Sequence, residues 1–444
     1  MNIEHSPRPE PKPDRLFSLD FLRGLDMIFL TVAVPILYAV HSVWGLPDGV
    51  MAQLRHPWEG FTAYDLIMPL FIFMCGAAIP LSLERRLAKR GGRPDAAYWK
   101  HVLGRVAMLW GLGLVVQGRV LSLDWDRIRL YDNTLQSIAA GYLAVACAIL
   151  VPNGKVRLAI PVACFAVYGA LLHFLGDYSV NGNFAAVVEQ NILLRIVPAT
   201  SETMKEILTC GILCAPAAVP PHVLARGVEV HYTWYLTTLM FAFMTFCGYY
   251  ATKILQSAAP AWTRARNLFL YGAGLLALGW VLALCGVKMV KHVFTVSFTA
   301  QAMGWSALLL AALYVLTDIW KLRRGLGVVI LFGQFALTAY LLEECFKPVL
   351  LSLAKLLGAG VPHLLGSDRC QPLVLAVLVA AEIVFALRIR RALKAKAARS
   401  RADLSAPRPA SSLEEPHEFR RPCPQWPDSS SGGRRAPCAN VARA

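Results

Sequence analysis

Apolar residues in this chain do not alternate with polar ones; they run in long blocks, broken by short polar stretches. Blocks near residues 17–41, 64–83, 103–121, 134–151, 158–176, 233–255, 267–286, 295–316, 326–345 and 371–387 have the length a helix needs to cross a hydrocarbon core. Backbone amides in lipid must be satisfied within their own segment, so each block reads as a helix rather than a strand. The pattern predicts an all-α fold: a polytopic membrane helix bundle of about ten transmembrane helices.

Polar stretches set the orientation. Lys and Arg are roughly twice as frequent in the segments that face inside when the N-terminus is inside, so both termini are expected in the cytoplasm. The clearest contrast is the run Glu84-Arg85-Arg86-Leu87-Ala88-Lys89-Arg90 against the single Arg55 in the preceding loop. The chain then divides into an inner N-terminal segment (1–16), a membrane domain (17–394) and a tail (395–444). Pro, Ser, Arg and Gly dominate that tail, which is the composition of a disordered segment. Residues 1–16 are polar and Pro-rich and show no signal-peptide cleavage pattern, so the first apolar block is expected to be a retained helix.

Composition sharpens this picture in two places. Hydrophobic residues are 56% and charged residues 16% of the 444 positions, below the quarter charged of soluble domains. The net charge of +16 would suit a nucleic-acid binder, but the basic residues sit in clusters between apolar blocks, so no nucleic acid is expected. The eleven cysteines show no zinc spacing, and no metal is expected; Cys210 and Cys214 are close enough in sequence for a local disulfide. No Asn-x-Ser/Thr sequon occurs.

Charged and polar groups at membrane depth are costly and therefore mark candidate sites. Asp20, Arg23 and Asp26 are three apart in the first block, on one helical face where they can pair; Arg23 could instead face an interior cavity and bind a phosphate. His56, Trp58, Glu59 and Asp65 cluster where a loop enters the second block. An imidazole beside carboxylates can act as general base or transient acyl acceptor, although His and Trp also populate interfacial belts. Asn133, Thr134 and Gln136 open the fourth block, where amides either orient a hydroxylated ligand or bond between helices. Lys288, Lys291 and His292 occupy another loop, and Glu343 and Glu344 close the ninth block. No Walker loop, dinucleotide glycine fingerprint, HExxH or nucleophile elbow appears.

Read in order, SLDFLRGLDM, HPWEGFTAYDLIMPLFIFMCG, LYDNTLQSIAAGYL, HYTWYLTTLMFAFMTFCGYYA and KHVFTVSF resemble the bacterial membrane proteins related to heparan-α-glucosaminide N-acetyltransferase, a branch of the transmembrane acyltransferases. The likeness covers about residues 15–345. It implies transfer of an acetyl group from cytosolic acetyl-CoA to an extracytoplasmic amino sugar or glycan. The family's motif His-x-x-Trp-x-Gly-x-Thr-x-x-Asp-Leu is similar to His56 through Leu66, one residue shorter between His and Trp. The resemblance makes His56 the catalytic candidate, with Asp65 behind it. Trp58, Glu59, Arg23, Asp20, Asn133, Gln136 and Lys291 are the candidate substrate-binding set. Departures are Leu135-Gln136-Ser137 where the family has Leu-Gln-Arg, and Gly333-Gln334-Phe335-Ala336 where it has Gly-x-Asn-Ser. Expected partners are membrane lipid, acetyl-CoA, the glycan and a second copy of the chain, in a bacterial inner membrane. The rival readings are a non-enzymatic transporter or flippase for a glycan or lipid intermediate, which a multi-span bundle with membrane-depth charges also fits, and a docking partner for another envelope enzyme.

Overall fold

The computed structural model of the protein describes residues 16–116, 131, 133–179, 183–185, 188 and 235–341. Among them all regular structure is helical. In chain order the helices are α1 (Phe17–Ile28), α2 (Val34–Trp44), α3 (Asp48–Gln53), α4 (Ile67–Ala78), α5 (Leu83–Lys89), α6 (Ala96–Val116), α7 (Thr134–Ala148), α8 (Gly154–Leu175), α9 (Thr238–Leu255), α10 (Ala261–Leu284), α11 (Val296–Tyr314) and α12 (Gly327–Gln334). A π turn, Phe29–Ala33, joins α1 to α2, just ahead of Pro35, which has no backbone N–H to donate. A second π turn, Val315–Ile319, extends α11.

Nine of the ten apolar blocks coincide with helix among the described residues. Their ends differ. The helix of the third block, α6, begins at Ala96 rather than 103, and that of the ninth block, α12, breaks at Phe335 before helix resumes over 336–341. The tenth block, most of the 177–232 segment, Cys210, Cys214, Glu343, Glu344, the tail and all but the last residue of the N-terminal segment lie outside the described residues. Among the described residues five stretches are long and apolar enough to cross a membrane: Phe17–Tyr38, Tyr64–Lys89, Gly154–Leu175, Ala261–Leu284 and Val296–Ile319.

Two kinds of helix build the bundle. α4, α9 and α11 are buried nearly all round and form its centre, with Ile72, Phe73, Met244, Phe246, Phe298 and Met303 fully enclosed. α8 and α10 are peripheral, and turn Val162, Phe174, Trp262, Phe269, Trp280 and Leu284 outward. Such an outward apolar surface is what a lipid-facing helix presents, and exceeds what a soluble protein exposes.

Small residues decide how closely the central helices approach. A Cβ at Gly76 of α4 would lie 1.8 Å from the Thr245 carbonyl of α9, and one at Gly248 of α9 would lie 1.8 Å from the Phe73 carbonyl of α4. α1 and α12 interlock the same way, Gly24 against Val329 and Gly333 against Asp20. Lipid offers no hydrophobic drive between helices, so backbone approach of this kind supplies much of the packing.

Candidate active site

The site is built where the chain enters α4. The loop from Arg55 to Ala63 ends in one 3₁₀ turn, Tyr64–Leu66, that runs directly into the helix. Thr62 and Asp65 cap this turn reciprocally: the Thr62 N–H donates to Asp65 Oδ2 at 3.0 Å, and the Asp65 N–H donates to Thr62 Oγ1 at 3.3 Å. That is the capping-box arrangement, shortened by one methylene. It leaves Oδ1 of Asp65 pointing away from the turn. Gly60 makes the fold-back possible, with a φ of +124° that L side chains rarely adopt and an N–H donated to the Met289 carbonyl at 2.8 Å.

Asp65 is fully buried, and two basic groups meet at its Oδ1. His56 Nδ1 lies 2.6 Å away and Lys291 Nζ 3.2 Å away. With Thr62 on Oδ2, the carboxylate accepts from three directions, and this offsets the cost of burying its charge. A carboxylate has no proton to give, so Nδ1 of the neutral ring donates to it and Nε2 is the acceptor atom of the ring. About 29% of the His56 side chain is open, while Asp65 is sealed beneath it. Tyr64 stacks on the imidazole, with centroids 4.6 Å apart and planes 21° apart.

Lys291 comes from the loop between α10 and α11, and only 2% of its side chain is exposed. Its ammonium nitrogen is 3.0 Å from Nδ1 and 3.4 Å from Nε2 of His56. Burial lowers its pKa to about 8, against the opposing pull of Asp65. The next residue, His292, stacks on Trp58 at 5.2 Å, and its pKa falls to about 4 through burial first and the Lys291 and His56 charges second. The loop is held by Thr295 Oγ1, which accepts the Val290 N–H at 3.0 Å, and by Ser297 Oγ, which donates to the Lys288 carbonyl at 2.9 Å. Beneath lies an aromatic floor of Phe61, Phe298, Phe294 and Phe241 in successive ring contact.

The other candidate residues fall in different places. Trp58 belongs to the same corner, donating Nε1–H to the Tyr178 carbonyl at 2.9 Å. Glu59 instead pairs with Lys288 at 3.0 Å on the surface, both side chains more than half exposed. Asn133 is the N-cap of α7: its Oδ1 accepts the Gln136 N–H at 3.0 Å, and it fills the notch left by Gly113 of α6. Gln136 is fully buried. Asp20 and Arg23 stay together at 4.0 Å, but Arg23 donates to the Met74 carbonyl at 3.1 Å, nine residues along α4 from Asp65. The three-residue ion-pair ladder does not extend to Asp26, whose Oδ2 is buried without a hydrogen-bond partner. Arg23 reaches across to α4 rather than down its own helix. Tyr64 and Tyr178 were not among the candidates, and nothing in their local pattern distinguishes them from belt aromatics. Thr62-x-x-Asp65, in contrast, is a readable capping signature. Among the described residues no group of His, Cys, Asp or Glu could hold a metal ion.

The described region is therefore a helical bundle of membrane type, with a buried carboxylate gripping an accessible histidine at one end of its central helix. Its sequence is similar to heparan-α-glucosaminide N-acetyltransferase from Homo sapiens, 28% identical over 142 residues, and from Mus musculus, 26% identical over 137 residues. Each match takes in 30% of this chain, and the aligned stretch spans only 19% of the length of either relative. No family model matches the chain.

Proposed function

We propose that this protein is a membrane-embedded acetyltransferase that moves an acetyl group from cytosolic acetyl-CoA to an extracytoplasmic amino sugar or glycan, in a bacterial inner membrane with both termini inside. The observation that carries the reading is the His56–Asp65 contact of 2.6 Å, in which a sealed carboxylate holds a partly open imidazole. The partial likeness to two curated N-acetyltransferases supports it from sequence.

In this reading Nε2 of His56 takes a proton from the acceptor ammonium, and the freed amine attacks the thioester carbonyl. The C–N bond forms, the C–S bond breaks, and the thiolate departs. Alternatively Nε2 attacks the thioester first, and the acetyl group passes to the amine in a second step. Asp65 fixes the tautomer and supports the imidazolium in either case, as a carboxylate behind a histidine does. Lys291, beside His56, supplies a proton to the departing thiolate in this reading. Trp58 and Tyr64 wall the corner with rings on which a sugar face can rest.

The test is acetyl transfer from labelled acetyl-CoA by protein reconstituted in liposomes. His56→Ala is expected to lower transfer by about 10²–10⁴-fold, the range for losing a general base, with normal insertion. Near-normal transfer in a correctly inserted His56→Ala protein would make His56 an interfacial residue and end the enzymatic reading at this site.

A further inference from the structure

Two nitrogens that can compete for one acyl group lie in contact at the site. Lys291 Nζ is 3.0 Å from Nδ1 and 3.4 Å from Nε2 of His56, and 3.2 Å from Asp65 Oδ1. Only 2% of the lysine side chain is exposed, whereas 29% of the His56 side chain is open. An acyl donor arriving from outside therefore meets His56 first and reaches Lys291 only through it. Lys288, three residues earlier in the same loop, is the contrast. Its side chain is 55% exposed, and its Nζ pairs with Glu59 instead of the histidine.

A lysine attacks an acyl carbon only as the neutral amine. Lys291 is surrounded by Asp65, His56 and the Tyr64 ring from the segment leading into α4, and by His292 of its own loop, which feels its charge. Burial outweighs the pull of Asp65 and brings its pKa down to about 8, so a usable fraction is neutral near physiological pH. The proton it supplies to a departing thiolate also leaves this nitrogen neutral just as the acetyl group arrives on His56. An acyl carbon on Nε2 stands one C–N bond, about 1.4 Å, from that atom, hence at most about 4.8 Å from Nζ. A shift of about 1.5 Å along a flexible four-carbon stem brings the two atoms to the roughly 3–3.5 Å from which intramolecular attack proceeds.

We propose that Lys291 is a self-acetylation site: when no acceptor is bound, the acetyl group carried by His56 passes to Lys291 Nζ as a stable amide. This rests on the two-step form of the acetyltransferase reading. The Nζ lone pair forms a C–N bond to the acetyl carbon, and the bond from that carbon to Nε2 breaks with its electron pair going to Nε2. The proton shed by Nζ follows to Nε2, so His56 is left as an imidazolium against Asp65. Acetylation removes the lysine charge. Lys291 then has no proton to give a thiolate and no longer balances Asp65. A site charged with acetyl and starved of acceptor thereby turns itself off.

The experiment gives full-length protein in nanodiscs, where both faces are open, acetyl-CoA labelled in its acetyl group, without acceptor, and then removes the free donor. Peptide mass spectrometry locates the label. Hydroxylamine separates acetyl-histidine, which it cleaves, from acetyl-lysine, which it does not. In wild type, label is expected to move from the sensitive to the resistant pool after the donor is gone. It should lie on buried Lys291 in preference to exposed Lys288 by about tenfold or more, the reverse of what reaction from solution gives. His56→Gln, checked for folding by its elution profile, should lose the Lys291 mark, and Lys291→Arg should keep label in the sensitive pool for longer. The chase in wild type needs no variant to fold: a sensitive pool that decays without any gain on Lys291 overturns the proposal. An unmarked Lys291 in protein that transfers acetyl in the assay above also overturns it and leaves the acetyltransferase reading standing. A Lys291 mark that His56→Gln retains, or Lys288 marked as heavily as Lys291, overturns it because the acetyl group then comes from solution. No label on the protein and no transfer overturn both readings.

Discussion

Two carboxylates near opposite ends of the same helical stretch, Asp65 and Glu84, each gather two basic groups, and burial separates them. Asp65 holds His56 and Lys291 with its own side chain wholly enclosed and Lys291 2% exposed. Glu84 holds Lys253 at 3.1 Å and Arg157 at 3.8 Å, and accepts from the Tyr249 hydroxyl at 3.1 Å, but it is 25% exposed and Lys253 43%. Water screens the second cluster, so its attraction and its desolvation cost are both small; it ties α5, α8 and α9 together as an anchor. In the first, each charge exists only because the others are present. Similar residue types thus make a tether in one place and a tuned constellation in the other.

The comparison breaks most directly at the carboxylates. Asp65→Ala leaves Lys291 and His56 without their shared acceptor and is expected to cost about 3–5 kcal/mol of stability, the range for breaking a buried pair, and to abolish transfer. Glu84→Ala should cost about 1 kcal/mol or less and leave transfer intact. Thermal unfolding of both variants in one detergent measures the difference; equal losses would mean that burial does not distinguish the clusters.

Acidity sharpens the contrast next. The folded pKa of His292, about 4, lies below its ordinary 6.5, so between those values the unfolded chain binds the extra proton and stability rises with pH. Acidifying from 6.5 to 4 should therefore lower the melting temperature, and His292→Gln should flatten that slope relative to wild type. Lys291, at about 8 against 10.5, adds stability as pH rises through that higher window, and Lys291→Met should remove the rise. An unchanged melting profile in both variants would place these side chains in water. The smallest effect belongs to Glu59 and Lys288, both more than half exposed. Glu59→Gln is expected to change stability by a few tenths of a kcal/mol and transfer less than twofold, unless Glu59 contacts the acceptor, in which case KM for the acceptor rises.

Helix positions were legible in the sequence because the requirement is local: an apolar run of sufficient length must satisfy its own amides wherever it lies. Nine apolar blocks appear as helix for that reason, with ends displaced where a turn such as Tyr64–Leu66 or the break at Phe335 depends on neighbours. His56 and Asp65 were also legible as a pair, nine residues apart across one turn. Lys291 was legible only as a loop lysine. Its place against His56 depends on a loop 235 residues away being drawn in by Gly60 and Met289. Asn133 was equally ambiguous between ligand contact and packing, and its role as the α7 cap emerges only when Gly113 of α6 is set against it. Asp26 shows the converse: a three-residue spacing offered it Arg23, yet Arg23 found the Met74 carbonyl on another helix. Sequence alone determined which segments must be helices, since that energy is settled within a segment. Only the tertiary structure decided which charges meet, because desolvation and pairing depend on what other helices bring to the same few ångströms.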